Sequence, residues 1–142
     1  MSGSWICIDA SCVVRLVAEP DDTATRQAWD RWLADERRLV APTLLHYEVT
    51  NALYRYQKQG TRIALAVRSA LQTTIALPIQ LVGDAAVHAE ALDLASRYVL
   101  PAAYDAHYLA VAQRFSAESW TTDQRLINSV RSALSWVHLV GE

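Results

Sequence analysis

The chain is predicted to adopt an α/β fold in which helices flank a central, mostly parallel, twisted sheet of about four or five short strands. Two patterns predict this. Short apolar runs alternate with longer stretches whose apolar residues recur at helical spacing, and two of the runs, near opposite ends of the chain, stop at an aspartate, Asp9 and Asp123. Short strands separated by helices are the arrangement of a layered α/β domain. With 142 residues, no internal repeat, no low-complexity tract and no Gly/Ser-rich linker, the expectation is one domain over residues 1–142.

The elements follow in order. Trp5-Ile6-Cys7-Ile8 reads as a strand ending at Asp9, with Ser11 as the expected N-cap of a helix through Ala18. Pro20-Asp21-Asp22-Thr23 opens a second helix, on which Trp29 and Trp32 or Leu33 share a face. Arg38-Leu39-Val40-Ala41 before Pro42 is a strand. From Leu44 to Gln59, Leu45, Val49, Ala52, Leu53 and Tyr56 recur at helical spacing, and Gly60 is a fitting C-terminal stop. A helix follows from about Ile63 to Thr74, then an extended segment over Pro78-Ile79-Gln80-Leu81-Val82. Asp84 can cap a long helix to Arg97 or Tyr98, and after Pro101 another runs from about Ala103 to Phe115. Glu118-Ser119-Trp120-Thr121-Thr122 is a strand, a short helix reaches Val130, and Trp136 to Val140 forms a last strand.

Composition excludes several classes. Just over half of the residues are hydrophobic, too many for disorder, yet no run approaches the ~20 apolar residues that span a bilayer. The start, Met1-Ser2-Gly3-Ser4-Trp5, lacks the basic and apolar regions of a signal peptide, so a cytoplasmic location is expected. Cys7 and Cys12 fit neither a C-x-x-C motif nor a disulfide framework and read as buried free thiols. Gly3, Gly60, Gly83 and Gly141 lie far apart, which removes the Gly-rich phosphate loops and the nucleophile elbow.

A net charge of -2 argues weakly against nucleic-acid binding, but its distribution is uneven. Between Glu48 and Asp84 there is no acid, while Arg55, Lys58, Arg62 and Arg68 fall inside. That stretch is either a solvated helix face or a track for phosphates.

The acids carry the chemistry. Ligand crevices of open α/β sheets lie outside the carboxyl ends of the strands, where Asp9 and Asp123 fall. Singly, each also reads as a cap or turn residue. Glu48 and Asp105 lie in the first turns of largely apolar helices. Dipole complementation alone accounts for Asp105, whereas Glu48, on a stripe with Asn51, Ala52 and Arg55, needs a partner or a metal. Four converging carboxylates repel one another, and a hard divalent cation, Mg²⁺ or Mn²⁺, relieves that repulsion.

At Ile8-Asp9-Ala10-Ser11, Tyr47-Glu48-Val49-Thr50-Asn51-Ala52-Leu53, Tyr104-Asp105-Ala106-His107-Tyr108-Leu109-Ala110-Val111-Ala112 and Thr121-Thr122-Asp123, the sequence resembles the PIN-domain family, within it the VapC-type toxins of toxin-antitoxin pairs. The resemblance implies a PIN-like fold and a metal-dependent endoribonuclease in which Asp9, Glu48, Asp105 and Asp123 hold one or two Mg²⁺ or Mn²⁺ ions. It also implies that Ser11, Asn51 and Thr121 line or brace the site through hydrogen bonds, and that the products carry a 5′-phosphate and a 3′-hydroxyl. The implied partners are RNA, a cognate antitoxin and a second copy of the chain, with no membrane. Arg15 stands where many relatives have Lys, and Gln124 and Arg125 follow Asp123 where some place another acid, which favours one metal. Arg15, Arg55, Lys58 and Arg62 become candidates for the RNA backbone.

Other readings are weaker. His46-Tyr47-Glu48 echoes the H-x-E of zinc deaminases, but no P-C-x-x-C follows. His107 cannot join Asp105 in a Ser-His-Asp arrangement, being two residues away on a helix, and His88 and His138 read as isolated structural residues. Ser11 stands where a haloacid-dehalogenase phosphatase wants an acid. The tryptophans read as core or interface anchors. The alternative from another class is a non-catalytic PIN-like module that binds RNA or protein; its mark would be a missing carboxylate, and all four are present.

Overall fold

In the computed structural model, which describes residues 4–142, five parallel strands form one sheet in the order β3-β2-β1-β4-β5. The strands are β1 (Trp5–Ile8), β2 (Arg38–Pro42), β3 (Ile79–Val82), β4 (Glu118–Thr121) and β5 (Val137–Leu139). Seven helices connect them: α1 (Ala10–Ala18), α2 (Thr23–Ala34), α3 (Leu44–Lys58), α4 (Ala64–Ala76), α5 (Ala85–Tyr98), α6 (Tyr104–Phe115) and α7 (Gln124–Val130). The expected strand count and helical connections are both present. Met1, Ser2 and Gly3, on which the expected absence of a signal peptide partly rests, lie outside the described residues.

Central strands are apolar because both faces of the sheet are covered. Ile6, Cys7, Ile8, Val40 and Ala41 are fully buried, whereas the edge strand β3 is only half-buried. Helix α6 lies against β1, β2 and β4 and is buried nearly all round through Ala106, Tyr108, Leu109, Ala110, Val111 and Ala112. Small alanines there let its backbone approach the sheet closely. Trp29 and Trp32 are buried as core anchors, and Cys7 and Cys12 are buried free thiols.

One cap differs from expectation. Helix α1 begins at Ala10 with Asp9 as its N-cap, whose side chain accepts the N–H of Cys12 at 3.1 Å. Ser11 is therefore inside the first turn and donates its hydroxyl to Asp9 instead. Asp84 caps α5 by accepting the N–H of Val87, and Gly60 takes a φ of 76° just beyond α3, as the sequence predicts.

The strand order places the site. The chain builds β1, β2 and β3 outward in one direction, then crosses to lay β4 and β5 on the other side of β1. The connections after β1 and β4 therefore diverge, and a crevice opens between their carboxyl ends. Among the described residues, no helix is long and apolar enough to cross a membrane.

Candidate active site

Asp9 and Asp123 flank that crevice, one directly beyond β1 and the other two residues beyond β4. Asp9 is buried, and its Oδ1 accepts the Ser11 hydroxyl at 2.6 Å as well as the Cys12 N–H. Ser11 also accepts the N–H of Thr122 at 3.0 Å, and its hydroxyl lies 3.5 Å from that of Thr121. Thr121 in turn accepts the N–H of Asp123 at 3.0 Å. These bonds tie the ends of β1 and β4 into one polar unit. Asp123 caps α7, with Oδ1 accepting the N–H groups of Arg125 and Leu126.

Glu48 and Asp105 enter from the starts of α3 and α6. Glu48 is half-buried, and its Oε1 accepts the phenolic proton of Tyr108 at 2.6 Å. Asp105, also half-buried, sits in the first turn of α6, as expected.

Electrostatics shows that the four carboxyls share one field. Asp105 is pushed up to about 6, first by burial and then by the charges of Asp9, Asp123 and Glu48. Burial also raises Asp9, although hydrogen bonds from Ser11, Thr121 and Cys12 favour its ionised form. Glu48 is raised by burial and by the charge of Asp9, against the Tyr108 bond that stabilises its carboxylate. Burial and the charge of Asp9 push up both cysteine thiols, which keeps them protonated and out of ligand chemistry.

Among the described residues, no three His, Cys, Asp or Glu side chains are gathered into a ready-made metal cage. The donor chemistry nevertheless fits a hard divalent cation. All four groups offer oxygen, and their mutual repulsion is what a cation relieves. The hydrogen bonds to Asp9, Glu48 and Asp123 fall on Oδ1, Oε1 and Oδ1, so each keeps a second oxygen outside those bonds.

The remaining predicted residues divide. Ser11 donates to Asp9, and Thr121 accepts the N–H of Asp123. Asn51 is exposed and lines a separate surface hollow with His46, Tyr47, Thr50 and Tyr54. Arg15 borders a hollow of about 420 Å³ with Ser11, Glu48, Tyr56 and Thr122, while its Nη1 reaches Asp22 at 3.2 Å. Arg62 donates to the carbonyls of Ala18 and Thr61, which employs it at the carboxyl end of α1. Lys58 lies over the ring of Tyr54, and Arg55 is exposed.

The histidines differ from expectation. His88 is not isolated, since its Nδ1 lies 3.0 Å from Nε2 of His107, and His138 stacks on Trp120. Tyr108 is a site residue that no sequence pattern singles out, because its bond to Glu48 joins two helices distant in sequence.

A parallel α/β sheet with acids assembled from four separate segments at its switch point defines a small class of folds. The PIN domain family model matches residues 6–131, and the chain belongs to that family. No curated protein sequence matches the chain. Among solved structures, it is similar to a chain of a toxin-antitoxin complex from Klebsiella pneumoniae, at 19 % identity over 94 % of this chain and 95 % of that one, with a TM-score of 0.63. A Pyrobaculum aerophilum protein, PAE2754, is 25 % identical over 94 % and 90 %, with a TM-score of 0.66. The Mycobacterium tuberculosis toxin VapC20, which cleaves the sarcin-ricin loop, is 15 % identical over 91 % and 95 %, with a TM-score of 0.64. At such identities the likeness is one of fold.

Proposed function

We propose that the chain is a metal-dependent endoribonuclease, the toxin of a type II toxin-antitoxin pair, acting as a single PIN domain over residues 1–142 and as a homodimer held in check by a cognate antitoxin. The observation that carries the nuclease reading is the gathering of four acids at the switch point, where burial, and after it the charges of Asp9, Asp123 and Glu48, push Asp105 up to about 6. Such a cluster costs stability, and a bound cation repays it. The toxin role is supported by similarity to a toxin-antitoxin complex and to VapC20, whose substrate is an RNA loop.

In this reading Asp9, Glu48, Asp105 and Asp123 hold Mg²⁺ or Mn²⁺, with one ion preferred because Arg125, and not a further acid, lies 3.9 Å from Asp123. The ion supplies positive charge for the scissile phosphate and lowers the pKa of a water for attack on it. Ser11 and Thr121 orient Asp9, and Tyr108 orients Glu48. Arg15, beside the hollow that contains Glu48, supports the phosphate backbone on one side, with Arg55 and Lys58 farther along α3.

The test is to strip the chain of metal and incubate it with single-stranded RNA. Fragments bearing 5′-phosphates and 3′-hydroxyls are expected with Mg²⁺ or Mn²⁺ and not with EDTA. RNA left intact under every metal condition, or cut equally well in EDTA, contradicts the proposal.

A further inference from the structure

A second concavity adjoins the acids at the carboxyl ends of β2 and β3. It holds about 350 Å³ and is lined by Thr43, Tyr47, Gly83, His88, Tyr104 and His107 among others. On one side two segments meet closely: a Cβ at Gly83 would stand 2.7 Å from the Thr43 side chain, so glycine is what lets the chain beyond β3 lie against it. The rim carries two outward tyrosines, Tyr47 at 74 % exposure and Tyr104 at 63 %. These immediately precede Glu48 and Asp105 in α3 and α6, so the cavity and the acids are presented by the same two helix starts. His107 links the two, being within electrostatic reach of Glu48.

The histidine pair gives the cavity a defined polarity. Nδ1 of His107 lies 2.7 Å from the carbonyl oxygen of Ala103, which can only accept, so that nitrogen carries the proton. In the neutral ring Nε2 is then an acceptor, and His88 donates to it from Nδ1 at 3.0 Å. The remaining nitrogen, Nε2 of His88, is left as an acceptor. One backbone carbonyl thus sets the tautomers of both rings.

Aromatic faces, an apolar lining and one oriented acceptor, on the same helix starts that carry Glu48 and Asp105, match the way single-stranded RNA is read: a base leaves its stack, lies on aromatic rings and pairs through its edge. We propose that this cavity seats one base of the RNA strand being cut, and that it prefers a base with an exocyclic amino group (adenine, cytosine or guanine) over uracil. The only base donor of uracil lies between two carbonyl oxygens, which would face the His88 lone pair. The inference rests on the ribonuclease reading for the identity of the strand, whereas base binding can be measured without cleavage.

Nucleosides carry no phosphate and so need no metal to approach the acids. Adenosine, cytidine and uridine are titrated into the full chain in EDTA while the His88 and Tyr104 ring signals are followed by NMR. Adenosine and cytidine are expected to shift both saturably and to bind ~10-fold more tightly than uridine, the worth of about one hydrogen bond, with binding lost in Tyr104→Ala and the preference lost in His88→Ala. A parallel digest of random-sequence RNA with Mg²⁺ is expected to show a preference at one fixed position from the cut, flattened among whatever products the two variants release. Nucleosides that leave both rings unmoved, uridine bound as tightly as the others, or N-acetyltryptophanamide bound there more tightly than any nucleoside would overturn the inference, the last assigning the cavity to a protein side chain. Nucleoside binding without any RNA cleavage would refute the nuclease reading and leave the base site standing.

Discussion

Ser11 shows how much a single hydroxyl does at this site. It donates to Asp9 and accepts from Thr122, so one side chain sets a carboxylate and joins two strand ends. Tyr108 plays the corresponding part for Glu48 from another helix. Tyr108→Phe keeps the ring and removes the donor, leaving a half-buried carboxylate without its partner. The expected result is a ~10-fold or greater loss of Mn²⁺ affinity by calorimetry with a stability cost of about 1 kcal/mol; unchanged affinity would reduce Tyr108 to a packing residue. The four acids were legible in the sequence because each stands at a strand end or helix start, where a carboxylate must be explained. Tyr108 was not legible as a partner, because its bond joins residues 60 apart and exists only in the folded chain. The exposure of Asn51 has a geometric reason. Three residues beyond Glu48 it is turned by about 60° around the helix axis, and the turn is away from the stripe of Leu45, Val49 and Leu53 that α3 buries.

At the scale of elements, apolar periodicity and punctuation locate all five strands and all seven helices, and the bounds they give fall within a residue or two, although they set no end for α2 and no start for α7. Capping was harder to read. Asp9 and Ser11 both suit the N-cap of α1, and the choice depends on where β1 stops pairing with β4. The end of α5 carries a cost no sequence pattern announces: Val99 occupies the left-handed region at φ 51° and is 85 % exposed. A β-branched residue is poorly suited to that conformation, and nothing is gained by burying it. Val99→Gly is therefore expected to stabilise the chain by about 0.5–1 kcal/mol, the relief of strain exceeding the added freedom of the unfolded glycine. Chemical denaturation checks this, and a destabilised variant would mean that the valine side chain contributes packing that outweighs the strain.

For the whole molecule, the strand order converts acids distant in sequence into one electrostatic unit. Order could not be read from strand count alone, and it is the crossing from β3 to β4 that sets Asp123 opposite Asp9. The near-balanced net charge of -2 is the sum of an acidic crevice and a more basic remainder, with four of the 15 acids in the site. A pH dependence follows. Asp105 binds its proton more tightly folded than unfolded, so its contribution to stability is complete below its ordinary 3.8 and is lost as pH rises through about 6. Asp9 and Glu48 are shifted in the same direction. The metal-free chain should lose Tm between about pH 4 and about pH 7, Asp105→Asn should flatten that slope, and Mg²⁺ should restore more Tm at the upper end than at the lower. A metal-free Tm that rises across this window, with the variant parallel to the parent, would contradict the shared field. The central claim, that these carboxylates work together on RNA, is tested most directly by the Mg²⁺-supported cleavage rate of Asp105→Asn beside that of Asp30→Asn, an exposed acid on α2. The account predicts a loss of at least ~100-fold for the first and the parental rate for the second; an Asp105→Asn chain that cuts RNA as fast as its parent would contradict it.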